Sequence, residues 1–201
     1  MNADAPSIPP DSDAVADPTS PADAAAPITP PGSRVFPGKP ALPDAVRQAI
    51  WELYAEIDAT IAAISPRCDA SGKCCRFEEV GHVLFLSSFE AEILLEQAPP
   101  YSQPVDSGNC PFQKRKLCTA REPRPLGCRI YYCDPTYQET SNDLTEMAIQ
   151  RLKSLAQAHG LDWEYAPLHY FLNQAERAGI PLAEADHPSP SGRTSLPLLP
   201  D

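Results

Sequence analysis

Apolar residues recur at steps of three and four from Val46 onward: Val46, Ile50, Leu53, Tyr54, Ile57, Ile61 and Ile64. That spacing draws one stripe along a helix of about five turns. Asp44 suits its N-cap, and Pro66 ends it. The stripe predicts core, not a cofactor face. Residues 79–86, with Val80, Val83, Leu84, Phe85 and Leu86, predict a short strand. Ser87 followed three residues later by Glu90 is a capping-box signature. It opens a helix over about 88–97 that buries Phe89, Ile93 and Leu94. A further helix is expected over 143–159, with Leu144, Ala148, Leu152 and Leu155 on one face and Gly160 just past its end. Leu161, Trp163 and Tyr165 then alternate as in a strand. Pro167 fits the first position of a last helix, about 167–178, closed by Gly179.

Between the second and third helices the pattern fails. Residues 98–142 are rich in Pro, Gly, Cys and turn formers and show almost no period. So long an irregular stretch inside a domain is unusual, and something other than a ladder or helix must hold it. The composition adds the boundaries. Proline makes up 25 of 201 residues, 11 of them in residues 1–43 and 5 in residues 181–201. Both flanks read as tails that cannot bury enough surface to fold. Residues 44–180 read as one domain, with order beginning near Asp44. The fold class expected is mainly α with little β, a small helical domain carrying an irregular cysteine-rich metal-binding layer.

Charge and cysteine count narrow the chemistry. The formal charge is −11, which argues against bulk binding of nucleic acid. No apolar run approaches a membrane span. The start Met1-Asn2-Ala3-Asp4 lacks a secretory pattern, so a cytoplasmic, reducing location is expected. Seven cysteines cannot all pair within one chain. They are Cys68, Cys74, Cys75, Cys110, Cys118, Cys128 and Cys133, all inside one 66-residue window. They sit in loop sequence beside Gly72, Pro111, Gly127 and Pro135, not on periodic core positions. Clustered thiolates suit soft or borderline metals, zinc or an iron–sulfur cluster. The spacing is neither a zinc ribbon nor a bacterial ferredoxin run. Adjacent Cys74 and Cys75 point apart on most backbones, which a multi-iron cluster accepts more readily than a single ion. An iron–sulfur cluster is therefore the preferred cofactor and Zn²⁺ the alternative.

Between Cys110 and Cys133 lie Lys114, Arg115, Lys116, Arg121, Arg124 and Arg129 against Glu122 alone. This +5 stretch would offset the negative charge of thiolates on a metal. It is also the one place where a nucleic acid would bind, and a protein partner is left open.

These residues carry a resemblance. Cys68-Asp-Ala-Ser71-Gly-Lys-Cys74-Cys75-Arg76-Phe77, then Cys110-Pro-Phe112, then Cys118-Thr-Ala-Arg-Glu-Pro-Arg124-Pro125-Leu-Gly-Cys128-Arg129-Ile-Tyr-Tyr-Cys133 resembles the YkgJ-like cysteine-cluster family. The match spans about residues 68–135. The resemblance implies a zinc- or iron-chelating domain and supplies no reaction. The family's first motif is often CxxCxxCC, and here Ser71 stands at its second cysteine. That departure favours a single four-cysteine site with three further thiols over two sites.

Other chemistry is sparse. His82 lies near the first cysteines and offers a Cys3His alternative. His159 suits a helix C-terminus, His169 reads as packing, and His187 lies in the tail. No nucleophile elbow, zincin, P-loop or dinucleotide motif is present, so no reaction class is indicated.

Overall fold

The structure, a computed structural model, describes Ser33 and residues 35–175. Its elements run α1 (Asp44–Ile64), α2 (Phe77–Val80), β1 (Phe85–Ser87), α3 (Ser88–Gln97), β2 (Gln113–Lys114), β3 (Leu117–Cys118), α4 (Leu126–Ile130), α5 (Gln138–Ala158), β4 (Tyr165–Pro167) and α6 (Leu168–Gln174). Two 3-10 turns, Lys73–Cys75 and Pro135–Tyr137, complete them. The fold is mainly helical with a few short strands. β1 pairs antiparallel with β4, Leu86 opposite Ala166, and β2 with β3, Gln113 opposite Cys118.

The α1 stripe is buried from Val46 to Ile61, while Ile64 is exposed at the last turn. It packs with Phe89 and Ile93 of α3, Leu126 and Ile130 of α4, and Ala148, Leu152 and Ala156 of α5. A second core lies on the other side of α3. There Ala91, Leu94 and Leu95 meet Phe77, Leu84, Leu86, Phe112, Leu168, Phe171 and Leu172. α3 therefore runs between two cores, and residues 88–95 are all buried. A helix buried all round has no polar face to show. Its capping box is formed as expected. Ser87 Oγ accepts from Glu90 N at 3.3 Å, and Glu90 Oε2 accepts from Ser87 N at 2.9 Å.

Pro43, and not Asp44, is the N-cap of α1, without a side-chain cap, and Asp44 is the first helical residue. Four further expectations need correction. The strand expected over 79–86 is instead the single turn of α2, closed by left-handed Gly81, followed by a three-residue β1. Only three residues of β4 are available to pair with it. The alternation is still real: Leu84 and Leu86 point in, Val83 and Phe85 out. α5 begins at Gln138, five residues earlier than expected. Its first turns are polar and invisible to an apolar period, and Asp134 caps the preceding turn through Thr136 N at 2.9 Å. α6 stops at Gln174 because Ala175 is extended, and Pro167 is its N-cap. Its proposed closure at Gly179 lies outside the described residues, as do residues 181–201 and most of 1–43.

The last correction concerns the start of order. Packing begins before Asp44, because Val35, Phe36 and Leu42 are buried. The Phe36 ring lies 5.8 Å from that of Phe171. Buried Glu92 on α3 ties this segment down. Its carboxylate accepts from Leu42 N at 3.0 Å and Ser33 Oγ at 3.2 Å, and faces Arg47 at 3.6 Å.

The irregular stretch after α3 rests on the end of α6. Tyr101 Oη donates to Leu172 O at 2.8 Å, and Gln103 Nε2 donates to Ala175 O at 3.0 Å. Val105 and Asn173 exchange two further bonds, at 2.7 and 2.9 Å. These side chains and backbone groups answer donors and acceptors at a helix end that would otherwise go without partners.

Candidate metal centre

The cysteine loops are assembled by close backbone approach. Gly72 adopts φ 71°, and a β-carbon there would fall 2.5 Å from Gln113 Nε2 and 3.1 Å from Lys116 Cα. Only glycine lets the Cys74–Cys75 turn lie so near the β2–β3 hairpin. Gln113 Nε2 donates to Gly72 O at 2.7 Å, and Cys110 N donates to Cys75 O at 2.8 Å. Thr119 closes the far side, its N and Oγ1 both donating to Phe112 O. Arg115 and Lys116 form the hairpin tip, with Arg115 at φ 59°.

Cys128 comes from α4, a five-residue helix the apolar period does not reveal. Leu126 and Ile130, four apart and both buried, were its only sequence signal. Gly127 lets it approach β1, since a β-carbon there would meet Leu84 Cδ1 at 2.8 Å. Buried Glu90 holds its N-terminus: Leu126 N donates to Glu90 Oε1 at 2.8 Å. Burial pushes the Glu90 carboxyl up, against the pull of the donors from Ser87 and Leu126. Arg129 faces away from the thiols. It donates to Asp58 Oδ2 at 2.7 Å and to the carbonyls of Arg124 and Glu122, and its guanidinium lies 4.2 Å above the Tyr54 ring.

These supports converge on one small cavity of about 50 Å³. Five cysteines line it: Cys74, Cys75, Cys110, Cys118 and Cys128. Leu84, Leu94, Phe112, Ala120, Pro125 and Leu168 form its apolar walls, and Arg124 its only charged wall residue. Space of that order holds several water-sized groups at roughly 10–15 Å³ each. Cys74 and Cys75 sulfurs stand 4.0 Å apart. Among the described residues, no group of three or more His, Cys, Asp or Glu side chains is arranged to hold a single metal ion.

Four of the five cavity thiols, Cys74, Cys75, Cys118 and Cys128, are pushed toward the neutral form. The hydrogen bond that the Cys75 thiol donates to Cys110, with burial behind it, pushes Cys75 up to about 12. Its own hydrogen bond to Cys75 and burial push Cys74 far above the ordinary thiol value. Burial does the same to Cys128, and raises Cys118. Arg124 opposes the shift at Cys74, Cys118 and Cys128, and Arg121 at Cys118. A metal would displace protons from these groups to bind.

Compared with family models, curated proteins and solved structures, the chain matches none.

The remaining cysteines lie outside the cavity. Cys68 is exposed on the loop after α1, where Arg67 N donates to Asp134 Oδ2 at 3.0 Å. Cys133, half-buried, follows α4 beside Tyr131, whose phenol is raised by burial and then by the nearby Cys133 and Cys74. The sequence ranks Cys133 ahead of Cys110, and the positions in the cavity are the reverse. The structure brings Cys110 to the cavity and leaves Cys133 off its wall. His82 also stays off the wall, its ring packed between Phe77 and Tyr131 at 5.2 and 5.4 Å. Of the six cations expected to offset thiolate charge, Arg124 alone reaches the cavity. His159 caps the end of α5, as its position suggested.

Proposed function

We propose that this protein chelates a metal through its cysteine cluster, and that the group it holds is an iron–sulfur cluster. The observation that carries this reading is the lining of a single small cavity by five of the seven cysteines. Iron–sulfur clusters take four thiolates, and the surrounding shell of hydrogen bonds, charge and apolar walls tunes them. The residues fit such a group in three ways. Five thiols line one space, its other walls are mainly apolar, and Arg124 stands by to offset negative charge. Cys75, Cys110, Cys118 and Cys128 are the inner ligands in this reading, with Cys74 at the exposed rim. The motif's resemblance to the YkgJ-like family points the same way.

One distance favours a second reading, a structural zinc site. Two sulfurs on one tetrahedral zinc stand about 3.8 Å apart, given zinc–sulfur bonds of about 2.3 Å. Cys74 and Cys75 are at 4.0 Å. Anaerobic purification with iron, zinc and acid-labile sulfide counted per chain separates the two. Iron with matching sulfide and a visible absorption band is the expected result. One zinc without sulfide overturns the iron–sulfur reading and makes the site structural.

A further inference from the structure

Basic residues cluster beside the cavity, with Arg124 on its wall. Lys114, Arg115, Lys116 and Leu117 form the exposed tip of the β2–β3 hairpin, and Leu117 is 67 % exposed. Cys118, the next residue, lines the cavity. Lys73, also exposed, is brought beside this tip by the contact of Gly72 with Lys116. Arg121 and Arg124 follow on the same side, close enough to act on Cys118. Among the described residues, no carboxylate forms an ion pair with any of these six cations, whereas Lys39, Arg47, Arg67, Arg76, Arg129 and Arg151 each have one. The remainder of the chain is strongly acidic, since the whole carries −11. Among the described residues these six cations thus form a concentrated positive face beside the thiol cavity, with Glu122 the one carboxylate between Cys110 and Cys133.

We propose that this face docks an acidic electron-carrier protein, which exchanges a single electron with the group in the cavity. The proposal rests on the iron–sulfur reading above. Only an electron passes; no bond forms or breaks, and the carrier is oxidised or reduced by one electron as the cluster changes by one in the opposite sense. Charge of one sign around a redox centre near the surface steers a partner of opposite sign and orients it on encounter. Transient redox pairs use small interfaces, which a hairpin tip and one neighbouring loop can supply. Leu117 gives the face an apolar centre inside a polar rim. A nucleic acid fits less well. No aromatic side chain lies between Gln113 and Cys118 to stack on a base, and the acidic remainder repels a long polyanion.

The test uses the full chain, purified anaerobically, with an acidic plant-type ferredoxin as probe. Binding is measured at about 20 and 300 mM salt, where the screening length differs several-fold. The second-order rate of electron exchange is followed alongside, the donor being whichever protein has the lower measured potential. Both binding and rate are expected to fall about tenfold or more at the higher salt. The K114Q/R115Q/K116Q triple variant should lose about tenfold at low salt while keeping its iron and sulfide. L117S should weaken binding further with the salt dependence unchanged. Wild-type binding by the triple variant overturns the proposal. So does tighter, tip-dependent binding of a single-stranded RNA about 20 nucleotides long, which would make this a nucleic-acid face. Protein that arrives without sulfide sinks the iron–sulfur reading and the electron exchange with it, whereas the binding series still decides whether the face takes an acidic protein.

Discussion

The two sides of α3 are built on different principles. On one side α1, α4 and α5 meet it through a continuous apolar core that includes Ile50, Leu53, Ile57, Phe89, Ile93 and Leu152. That side draws its stability from burial of side chains that have no other chemistry. On the other side the chain between α3 and α4 has only two short strands, and the core there includes four thiols, Cys75, Cys110, Cys118 and Cys128. Tyr101, Gln103 and Asn173 fasten it to the end of α6, Gln113 and Cys110 fasten it to the Gly72–Cys75 turn, and Phe112 and Ala120 bury in the core. The first side is apolar throughout, while the second has a comparable apolar core into which four thiols are set. Metal held by those thiols would couple its binding to the folding of that side.

The contrast can be broken most strongly through protons. Burial and hydrogen bonds raise Cys74, Cys75, Cys118 and Cys128 and so favour their protonated forms. Metal held by four of the cavity thiols must expel about four protons, so affinity should gain up to about tenfold per thiol for each pH unit gained. Zinc titration of metal-free protein against a competing chelator at pH 6 and 8 measures this; equal affinities would mean the thiols are not the ligands. Next in size, Cys128→Ser should abolish metal content and lower the melting temperature on the order of 10 °C. Full occupancy with an unchanged melt would remove Cys128 from the site. Ile50→Ala, on the other side of α3, should cost about 3 kcal/mol in denaturant unfolding yet leave metal per chain unchanged. If it emptied the site, the two sides would not be separable. Smallest is Cys68→Ser, expected to change stability by less than about 0.5 kcal/mol and metal content not at all. A loss of metal there would bring the exposed thiol into the ligand set.

A similar divide governs what the amino-acid order makes legible. α1 and the Ser87–Glu90 box were readable because each is a local pattern, one periodic and one of fixed spacing. α4 was not, since five residues are too few to show a period and its N-terminus is held by Glu90, thirty-six residues away. The first turns of α5 lack apolar residues altogether. The cysteines were legible as a group but not as a set of ligands. The sequence favours Cys133 over Cys110, yet Cys110, tied by its N–H to Cys75 O far back in the chain, is the one on the cavity wall, a long-range bond that spacing does not reveal. Arg129 illustrates the reverse error: its charge suggested a role at the thiols, and Asp58 with two carbonyls claims it instead.

Glu92 has a consequence for where this chain can be cut. Its carboxylate receives Leu42 N and Ser33 Oγ, so the segment before α1 is the lid on a buried negative charge. A fragment trimmed to begin at Asp44, the boundary that proline content suggests, would strip those two donors and uncover Phe171 and its apolar neighbours. Such a fragment should be sticky and short-lived in solution, while one begun a dozen residues earlier keeps its cover. Portability of the domain is thus decided by a short proline-flanked strap outside every helix.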